Sequence, residues 1–415
     1  MKNQICKHFE GNNLYFPSQY GFRAERSTSN AVQDLVQKIV EGFESGKYVG
    51  AVFCDLRKAF DCVSHSTLTD KLKCYNFNEI SLLLMSSYLS NRRQYVGVGS
   101  NKSEVQTLIN GVPQGSSLGP ILFLLYINDI NIVGSDLNIY LFADDTTIAI
   151  KDDCMDDLLV RMQGAQSEAE KWFAANMLCL NNNKTKQMIF THRDITGFEN
   201  QESFKFLGIN LDQKLTWERH CEVVSKKISS NVFVLRNLKS LVTCDILLMA
   251  FHALIMTHCA YGLIVWGHSA HIDRVFAMQR RAVRVVGGVG YRADVRETFI
   301  QLKILTIPSL YIYHCLCYMH KNLDNYSSHN SVHEHNTRRA YDLRVPYSRL
   351  QHSRNAINYY GPIFYNKLNR NLRNLGFNKF KESIKQFLVK CAFYSVQEYL
   401  ELDADVVTHF FAHGE

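Results

Sequence analysis

The chain has 415 residues, of which 46% are hydrophobic and 12% aromatic. This apolar content is enough for two or three packed cores, and it excludes a disordered chain. The formal net charge is +7, but residues 218–292 hold 10 basic against 4 acidic side chains and residues 336–385 hold 11 against 2. Tyrosines and phenylalanines are interleaved with the second basic stretch. This pattern indicates a polyanionic partner, with nucleic acid as the leading candidate.

The cysteines and the apolar spans of the sequence indicate the cellular compartment of the protein. Twelve cysteines occur without a Cys-x-x-Cys pair, which predicts free thiols in an intracellular protein, nuclear or cytoplasmic. Met1–Glu10 has no signal-peptide character, and Ile246–Trp266 carries histidines, so we expect a buried core helix there and no membrane anchor. Four ligand-type side chains fall in one apolar helical run: His314, Cys315, Cys317 and His320. Core packing is favoured for them over a zinc site.

The first elements predicted along the chain lead to an acidic strand end. The first twenty residues have few features, and an amphipathic helix follows over Val32–Phe43, ended by Gly46. Residues 48–56 are apolar on both faces, which predicts a central strand. Asp55 stands at the end of that strand.

Helices are predicted over residues 67–74 and 80–89, with extended segments near 95–98 and 105–108. The turn Gly111–Pro120 is rich in Gly, Pro and Ser, and Pro120 suits the first turn of a helix over the apolar residues 121–130.

Two adjacent carboxylates, Asp144 and Asp145, lie between two runs of strand-forming residues within 139–150. The alternation predicts a β-hairpin with the acids at its tip. For an isolated Asp-Asp pair a solvated turn is the ordinary interpretation. With Asp55, however, three acids stand at two strand ends, and shared carboxylates can hold two divalent ions for phosphoryl transfer.

The remaining elements change character along the chain. A helix is predicted over 155–176, and strands over 188–190 and 204–211. Helical periodicity dominates from residue 217 onward and includes a basic helix over 274–286. Residues 322–336, rich in Asn, Ser and His, are the best linker candidate.

Six ordered segments resemble the reverse transcriptase of non-LTR retrotransposons, similar to the jockey-like elements of insects. They are Gln19–Arg23 with Ser27–Thr28, Asp55–Asp61, Gly111–Pro120, Phe142–Asp145, Asn183–Lys186 and Phe206–Gly208. The resemblance implies an RNA-directed DNA polymerase, which transfers a nucleotide from a dNTP to the 3′-hydroxyl of a DNA primer on an RNA template. A weaker resemblance continues through residues 261–267 and 279–282.

The resemblance also implies the catalytic residues. Asp55 and Asp144 would ligate two Mg²⁺ ions, for which Mn²⁺ could substitute, and Asp145 would support them. Lys184 would be the general acid that protonates the departing pyrophosphate. Simple attraction of phosphate by Lys184 is nearly as well supported.

Four residues are implied in nucleotide binding, each with a structural alternative. Arg23 would hold the triphosphate, or form a surface ion pair. Phe60 would exclude a ribose 2′-hydroxyl, or only pack in the core. Gln114 and Gly115 would approach the nucleotide closely, or only initiate the next helix.

The implied fold class is α+β: a right-hand polymerase palm with partial fingers, followed by a helical thumb and a helical C-terminal region. Residues 1–217 would be fingers and palm, 218–292 the thumb-like region and 293–415 the basic C-terminal region. Few residues precede the fingers motif, so an N-terminally truncated copy is expected. An inactive remnant that binds RNA or DNA, and a cellular reverse transcriptase related to group II introns, remain alternatives. The oligomeric state is left open.

Overall fold

The computed structural model describes residues 1–402 apart from 135, 196, 329–341, 351–353 and 355. The described residues divide into two compact units. The first unit holds Met1–Leu35 and Ser45–Gln201, and the second holds Val36–Glu44 and the described residues from Glu202 onward.

The first unit mixes helices and strands. It contains the helices α1 (Lys2–Gly11), α2 (Thr28–Glu44, of which Val36–Glu44 belongs to the second unit), α3 (His65–Cys74), α4 (Glu79–Leu89), α5 (Gly119–Ile127) and α6 (Met155–Ala175). Its strands are β1 (Tyr48–Cys54), β2 (Arg92–Gln94), β3 (Gly97–Val98), β4 (Asn101–Lys102), β5 (Gln106–Leu108), β6 (Asn138–Phe142), β7 (Asp145–Asp152) and β8 (Lys186–Phe190). These elements confirm the predicted helices over 67–74, 80–89 and 155–176.

A four-stranded antiparallel sheet with strand order β6-β7-β1-β8 is the framework of the first unit. Strand β1 is internal: Val52 pairs with Ile148 on one side and with Gln187 on the other. All residues of β1 after Tyr48 are buried, as expected for a strand covered on both faces. The predicted central strand and the predicted hairpin around Asp144 and Asp145 are both confirmed.

Helices α5 and α6 supply much of the apolar core of the first unit. Every residue of α5 from Ile121 to Ile127 is buried, and Pro120 lies in its first turn as predicted. Helix α6 buries one stripe, which includes Met162 and Phe173, and each such side chain contributes roughly 1.5–3 kcal/mol by leaving water. A Cβ on Gly50 would lie 2.2 Å from the sulfur of Met162. Glycine at this position therefore lets α6 lie directly on β1.

One helix was not predicted, and one strand prediction was wrong. Helix α1 lies in the segment that has few sequence features. It has no side-chain cap at Met1 and buries only Ile5 and Phe9, so neither a start signal nor a wide apolar stripe marks it. The single strand predicted over 204–211 is a hairpin of two short strands, which turns at Leu207 and Gly208 with φ +43° and +88°.

The second unit is mainly helical from residue 218, as predicted. Its hairpin consists of β9 (Phe204–Phe206) and β10 (Ile209–Leu211). Its helices include α7 (Glu218–Leu238), α8 (Cys244–Phe251), α9 (Thr257–Ala260), α10 (Leu263–Trp266), α11 (Ile272–Gly287), α12 (Arg296–Gln301), α13 (Ile307–Lys321), α14 (Ile357–Asn366), α15 (Arg370–Arg373), α16 (Phe377–Cys391) and α17 (Val396–Glu401). Helices α7 and α11 pack against each other.

The apolar span Ile246–Trp266 is several short helices rather than the single helix predicted from its hydropathy. A π-helical turn, His252–Met256, follows α8, and Gly262, with φ +61°, separates α9 from α10. Throughout the described residues, no helix combines the length and the apolar character needed to cross a bilayer. The predicted linker 322–336 lies partly outside the described residues, since 329–341 are not among them.

Candidate active site

Three carboxylates leave the four-stranded sheet at one edge. The last paired residues of β1 and β7 are Cys54 and Thr146. Asp55 is the next residue after Cys54, and Asp145 directly precedes Thr146. Asp144 lies at the hairpin tip between β6 and β7. The antiparallel register therefore brings to one place three acids that are up to 90 residues apart in sequence.

The surroundings of Asp144 and Asp145 oppose the ionisation of these two carboxyl groups. Burial raises the pKa of Asp144, and the charge of Asp55 raises it further. Burial, followed by the charges of Asp144 and Asp55, raises the pKa of Asp145 to about 6. Like charges at short range in a partly desolvated place are costly unless a cation neutralises them. The electrostatics at this edge of the sheet therefore favour a bound cation.

Asp55 is held by the loop before β8. The backbone N–H of Asn181 donates to the Asp55 carbonyl oxygen at 2.7 Å, and its Nδ2 donates to Asp55 Oδ2 at 3.0 Å. Lys184 Nζ lies 3.9 Å from the same carboxylate oxygen, and 71% of the Lys184 side chain is exposed. Two of the residues predicted as catalytic, Asp55 and Lys184, thus lie close together, and their catalytic roles stay predictions. Asn181 was missed, because it stands in a run of three asparagines in which nothing distinguishes one from the next.

The hairpin tip is supported by the segment that contains Gln19. Gln19 is 1% exposed, and its Oε1 accepts the backbone N–H groups of Ala143 at 3.1 Å and of Gly21 at 2.8 Å. Two backbone hydrogen bonds join residues 18–20 to Leu141, where Gln19 forms a parallel bridge. Ala143 itself has φ +57°, a conformation that disfavours residues other than glycine. Gln19 therefore stabilises the backbone from which Asp144 projects.

Gly21 is required by this close approach. A Cβ at Gly21 would lie 2.4 Å from the backbone nitrogen of Ala143 and 3.1 Å from the carbonyl carbon of Phe142. Both neighbours are main-chain atoms, which cannot rotate away as the end of a side chain can. The sequence placed Gln19–Arg23 in the fingers, but nothing in it indicated that Gln19 and Gly21 contact the aspartate hairpin.

Arg23 is engaged by protein groups. Its guanidinium forms a bidentate pair with Glu10, with distances of 2.9 and 2.6 Å, and donates to the carbonyl oxygen of Phe16 at 3.1 Å. It also lies over the ring of Tyr15. Only 10% of the Arg23 side chain is exposed. The contacts correspond to the ion-pair alternative, and binding of a triphosphate by Arg23 stays a prediction.

Hydrogen bonds join the segment that contains Phe60 to the turn that contains Gln114 and Gly115. The backbone N–H of Val112 donates to the Phe60 carbonyl oxygen at 2.9 Å, and Gln114 Nε2 donates to Asp61 Oδ1 at 2.8 Å. The Phe60 ring stacks on Phe123 with centroids 4.4 Å apart. Gly115 has φ +79°, and no heavy atom lies within 4 Å of where its Cβ would be. The turn is thus fixed to the chain that follows Asp55, while Gly115 faces open space.

The donor set at the sheet edge fits magnesium in charge and in element, since carboxylate oxygens are the ligands that Mg²⁺ prefers. Within the part of the chain that the structure describes, no three His, Cys, Asp or Glu side chains already stand close enough to hold an ion. Asp55 is turned to Asn181 and Lys184. The sequence prediction of a metal site at Asp55, Asp144 and Asp145 stays a prediction.

Comparison with known proteins shows the family of this chain. Residues 1–211 match the family described as reverse transcriptase (RNA-dependent DNA polymerase). The chain belongs to this family, and the resemblance to jockey-like elements read from the sequence is confirmed.

Two relatives from Drosophila melanogaster illustrate the match. The probable RNA-directed DNA polymerase from transposon X-element is 28% identical over 325 residues, which cover 73% of this chain and 35% of that protein. The RNA-directed DNA polymerase from mobile element jockey is 27% identical over 311 residues, covering 69% of this chain and 33% of that protein. The chain thus spans about a third of the length of these relatives.

Among solved structures, the telomerase from Candida albicans, in complex with a fragment of telomeric RNA, aligns with a TM-score of 0.41 and 13% identity. That alignment covers 72% of this chain and 54% of the telomerase chain. The apo telomerase from Candida tropicalis aligns with a TM-score of 0.42 and 12% identity, covering 75% of this chain and 54% of the other.

Proposed function

We propose that this chain is the RNA-directed DNA polymerase of a non-LTR retrotransposon. It would join a deoxynucleotide to the 3′-hydroxyl of a DNA primer on an RNA template and release pyrophosphate. The observation that carries the proposal is the meeting of Asp55, Asp144 and Asp145 at one sheet edge, inside the region that matches the reverse transcriptase family. Asp144 and Asp145, whose pKa values are raised by burial and by neighbouring carboxylates, would be stabilised by divalent cations.

Each residue at this edge has a role in the proposed reaction. Asp55 and Asp144 would hold two Mg²⁺ ions, or Mn²⁺ in their place, with Asp145 in support. When bound, the ions would activate the primer 3′-hydroxyl and stabilise the oxygen that departs with pyrophosphate. Lys184 would donate a proton to that leaving oxygen or attract the phosphate, and its exposed ammonium beside Asp55 supports either role. Asn181 would keep the Asp55 carboxylate oriented.

The nucleotide would bind beside the turn that contains Gln114 and Gly115. Open space at Gly115 and its positive φ support a close approach of substrate to backbone there. Phe60 would lie under the sugar and exclude a ribose 2′-hydroxyl. Arg23 would have to exchange Glu10 for the triphosphate in order to bind it.

The proposed architecture follows the sequence boundaries. Residues 1–217 would form partial fingers and palm, 218–292 a thumb and 293–415 a basic C-terminal region. The family match ends at residue 211, close to the first boundary. The helical character after residue 218 supports a change of domain there.

The primary test is primer extension on an RNA template. We expect Mg²⁺-dependent incorporation of dNTPs by the wild-type chain and loss of incorporation, by at least about a hundredfold, in Asp144→Ala, because the variant lacks a carboxylate that both ions would share. The measurement is the extension rate in a gel assay with Mg²⁺, with Mn²⁺ and with EDTA.

Asp153→Ala is the matched control for this test. Asp153 is an exposed acid just after β7 that pairs with Lys47 at 3.0 Å, so its removal should leave extension unchanged. Equal activity in Asp144→Ala and the wild type would refute the proposed site. RNA binding without any extension by the wild type would instead favour the inactive, nucleic-acid-binding alternative.

A second variant tests the sugar-selecting role of Phe60. Phe60→Val shortens the ring that would meet a 2′-hydroxyl, and we expect the preference for dNTP over rNTP, as a ratio of kcat/KM values, to fall by about tenfold or more. The kcat for dNTP should change less. If the preference is unaltered while extension falls, Phe60 only packs against Phe123.

A further inference from the structure

A basic cavity of about 220 Å³ lies in the second unit, where α7 and α11 end. Its walls come from the last turn of α7, from α11 and from the loop after α11. The lining residues are Arg236, Lys239, Arg281, Arg284, Val285, Val289 and Tyr291. Four of them are cations and none is an acid. Across the described residues, none of these four cations has a carboxylate within ion-pair distance.

Helix ends alone do not account for this cluster. The negative ends of two helix dipoles would favour Lys239 and Arg284 at these positions. They do not account for Arg281, which lies almost two turns before the end of α11. Its Nε is buried without a hydrogen-bond acceptor, and an unsatisfied charged donor is destabilising. An anion in the cavity would balance the charge of this guanidinium, for which the cavity lining offers no carboxylate.

The cavity is also partly preorganised. Arg284 Nε donates to the carbonyl oxygen of Ala293 at 3.0 Å, which fixes the direction of its guanidinium. Arg281 lies 5.7 Å from the centre of the Tyr291 ring. Tyr291 is 69% exposed, so one face of an aromatic ring is available beside the cations. Cations next to an exposed ring are the combination that binds a phosphate and its neighbouring base.

We propose that this cavity binds a backbone phosphate of single-stranded nucleic acid, with a base stacked on Tyr291. An acidic peptide would use the cations but not the ring, so the ring favours nucleic acid. The proposal depends on the proposed function in one respect, because a polymerase has nucleic acid as its ligand. Binding can be measured without catalysis.

The test is the salt dependence of binding to a fluorescently labelled single-stranded RNA, measured by anisotropy with the full chain. Each of Arg281→Gln and Lys239→Gln should lower the slope of log Kd against log salt by about 0.7, the value for one lost phosphate contact to a single strand. Tyr291→Ala should weaken binding by about tenfold through lost stacking and leave the slope unchanged.

Lys226→Gln is the matched control. It also removes one positive charge, here from α7, but Lys226 is paired with Glu222 at 2.5 Å and lies outside the cavity. Its slope should equal that of the wild type. Lys239 is exposed, so Lys239→Gln should fold normally even if Arg281→Gln melts at a lower temperature.

Slopes for Arg281→Gln and Lys239→Gln that match the Lys226→Gln slope would overturn the proposal. Binding of a polyglutamate peptide that these variants weaken, together with RNA binding that they leave unchanged, would also overturn it. The proposed function is tested separately. A wild-type chain that never extends a primer would refute the polymerase function, but it would not change the salt-dependence slopes for RNA binding.

Discussion

Gly21→Ala is expected to lower kcat/KM for primer extension by about a hundredfold or more. The added Cβ would lie 2.4 Å from the backbone nitrogen of Ala143, so either the hairpin tip or residues 19–21 must move. The tip carries Asp144 and Asp145, and a shift of about 1 Å in reacting groups is enough for a hundredfold loss. The measurement is steady-state extension, with the melting temperature recorded alongside.

Gly164→Ala is the control for this substitution. Gly164 lies within α6, and nothing stands within 4 Å of its Cβ position. The change should leave extension unaltered and raise the free energy of unfolding by roughly 1 kcal/mol, since alanine is the better helix former. Wild-type activity and an unchanged melting temperature in Gly21→Ala would show that the hairpin tip does not depend on this contact.

Asp145→Asn is expected to remove activity and yet stabilise the metal-free protein at pH 7. The pKa of Asp145 is raised to about 6 by burial and by Asp144 and Asp55, so the folded state opposes its ionisation. An acid whose pKa is higher in the folded state stabilises the protein most at low pH. That stability is lost as the pH rises from about 4 to about 6.

The amide side chain of Asp145→Asn does not ionise over this pH range, so its stability is not lost in this way. Because the Asp145 side chain is only partly withdrawn from solvent, we discount the effect to about 1 kcal/mol, or a few degrees in melting temperature. The measurement is thermal unfolding in EDTA from pH 4 to pH 7, in which the wild type should lose stability relative to the variant.

Two comparisons complete this experiment. Mg²⁺ should raise the melting temperature of the wild type more than that of Asp145→Asn, since a bound cation relieves the repulsion. Asp153→Asn, at the other end of β7, should melt like the wild type. A melting temperature for Asp145→Asn below that of the wild type at pH 7 in EDTA would contradict the electrostatic explanation.

Local pattern was sufficient for much of the fold. Alternation around Asp144 predicted the hairpin, two apolar faces predicted the central position of β1, and helical periodicity predicted α6 and the helical region that begins with α7. Such patterns succeed because burial of one face is decided by residues close together in the chain. Helix α1 was missed because its local signal is short.

By itself, the sequence determined the family and the identity of the three acids, because Asp55, Asp144 and Asp145 stand in recognisable local motifs. Only the tertiary structure decided what holds them. Gln19 meets Ala143 across 124 residues, and Asn181 meets Asp55 across 126. These partners carry no local signature, because one amide side chain resembles any other in the sequence. Their roles are decided only when distant segments assemble and leave particular backbone and carboxylate groups in need of a hydrogen-bond partner.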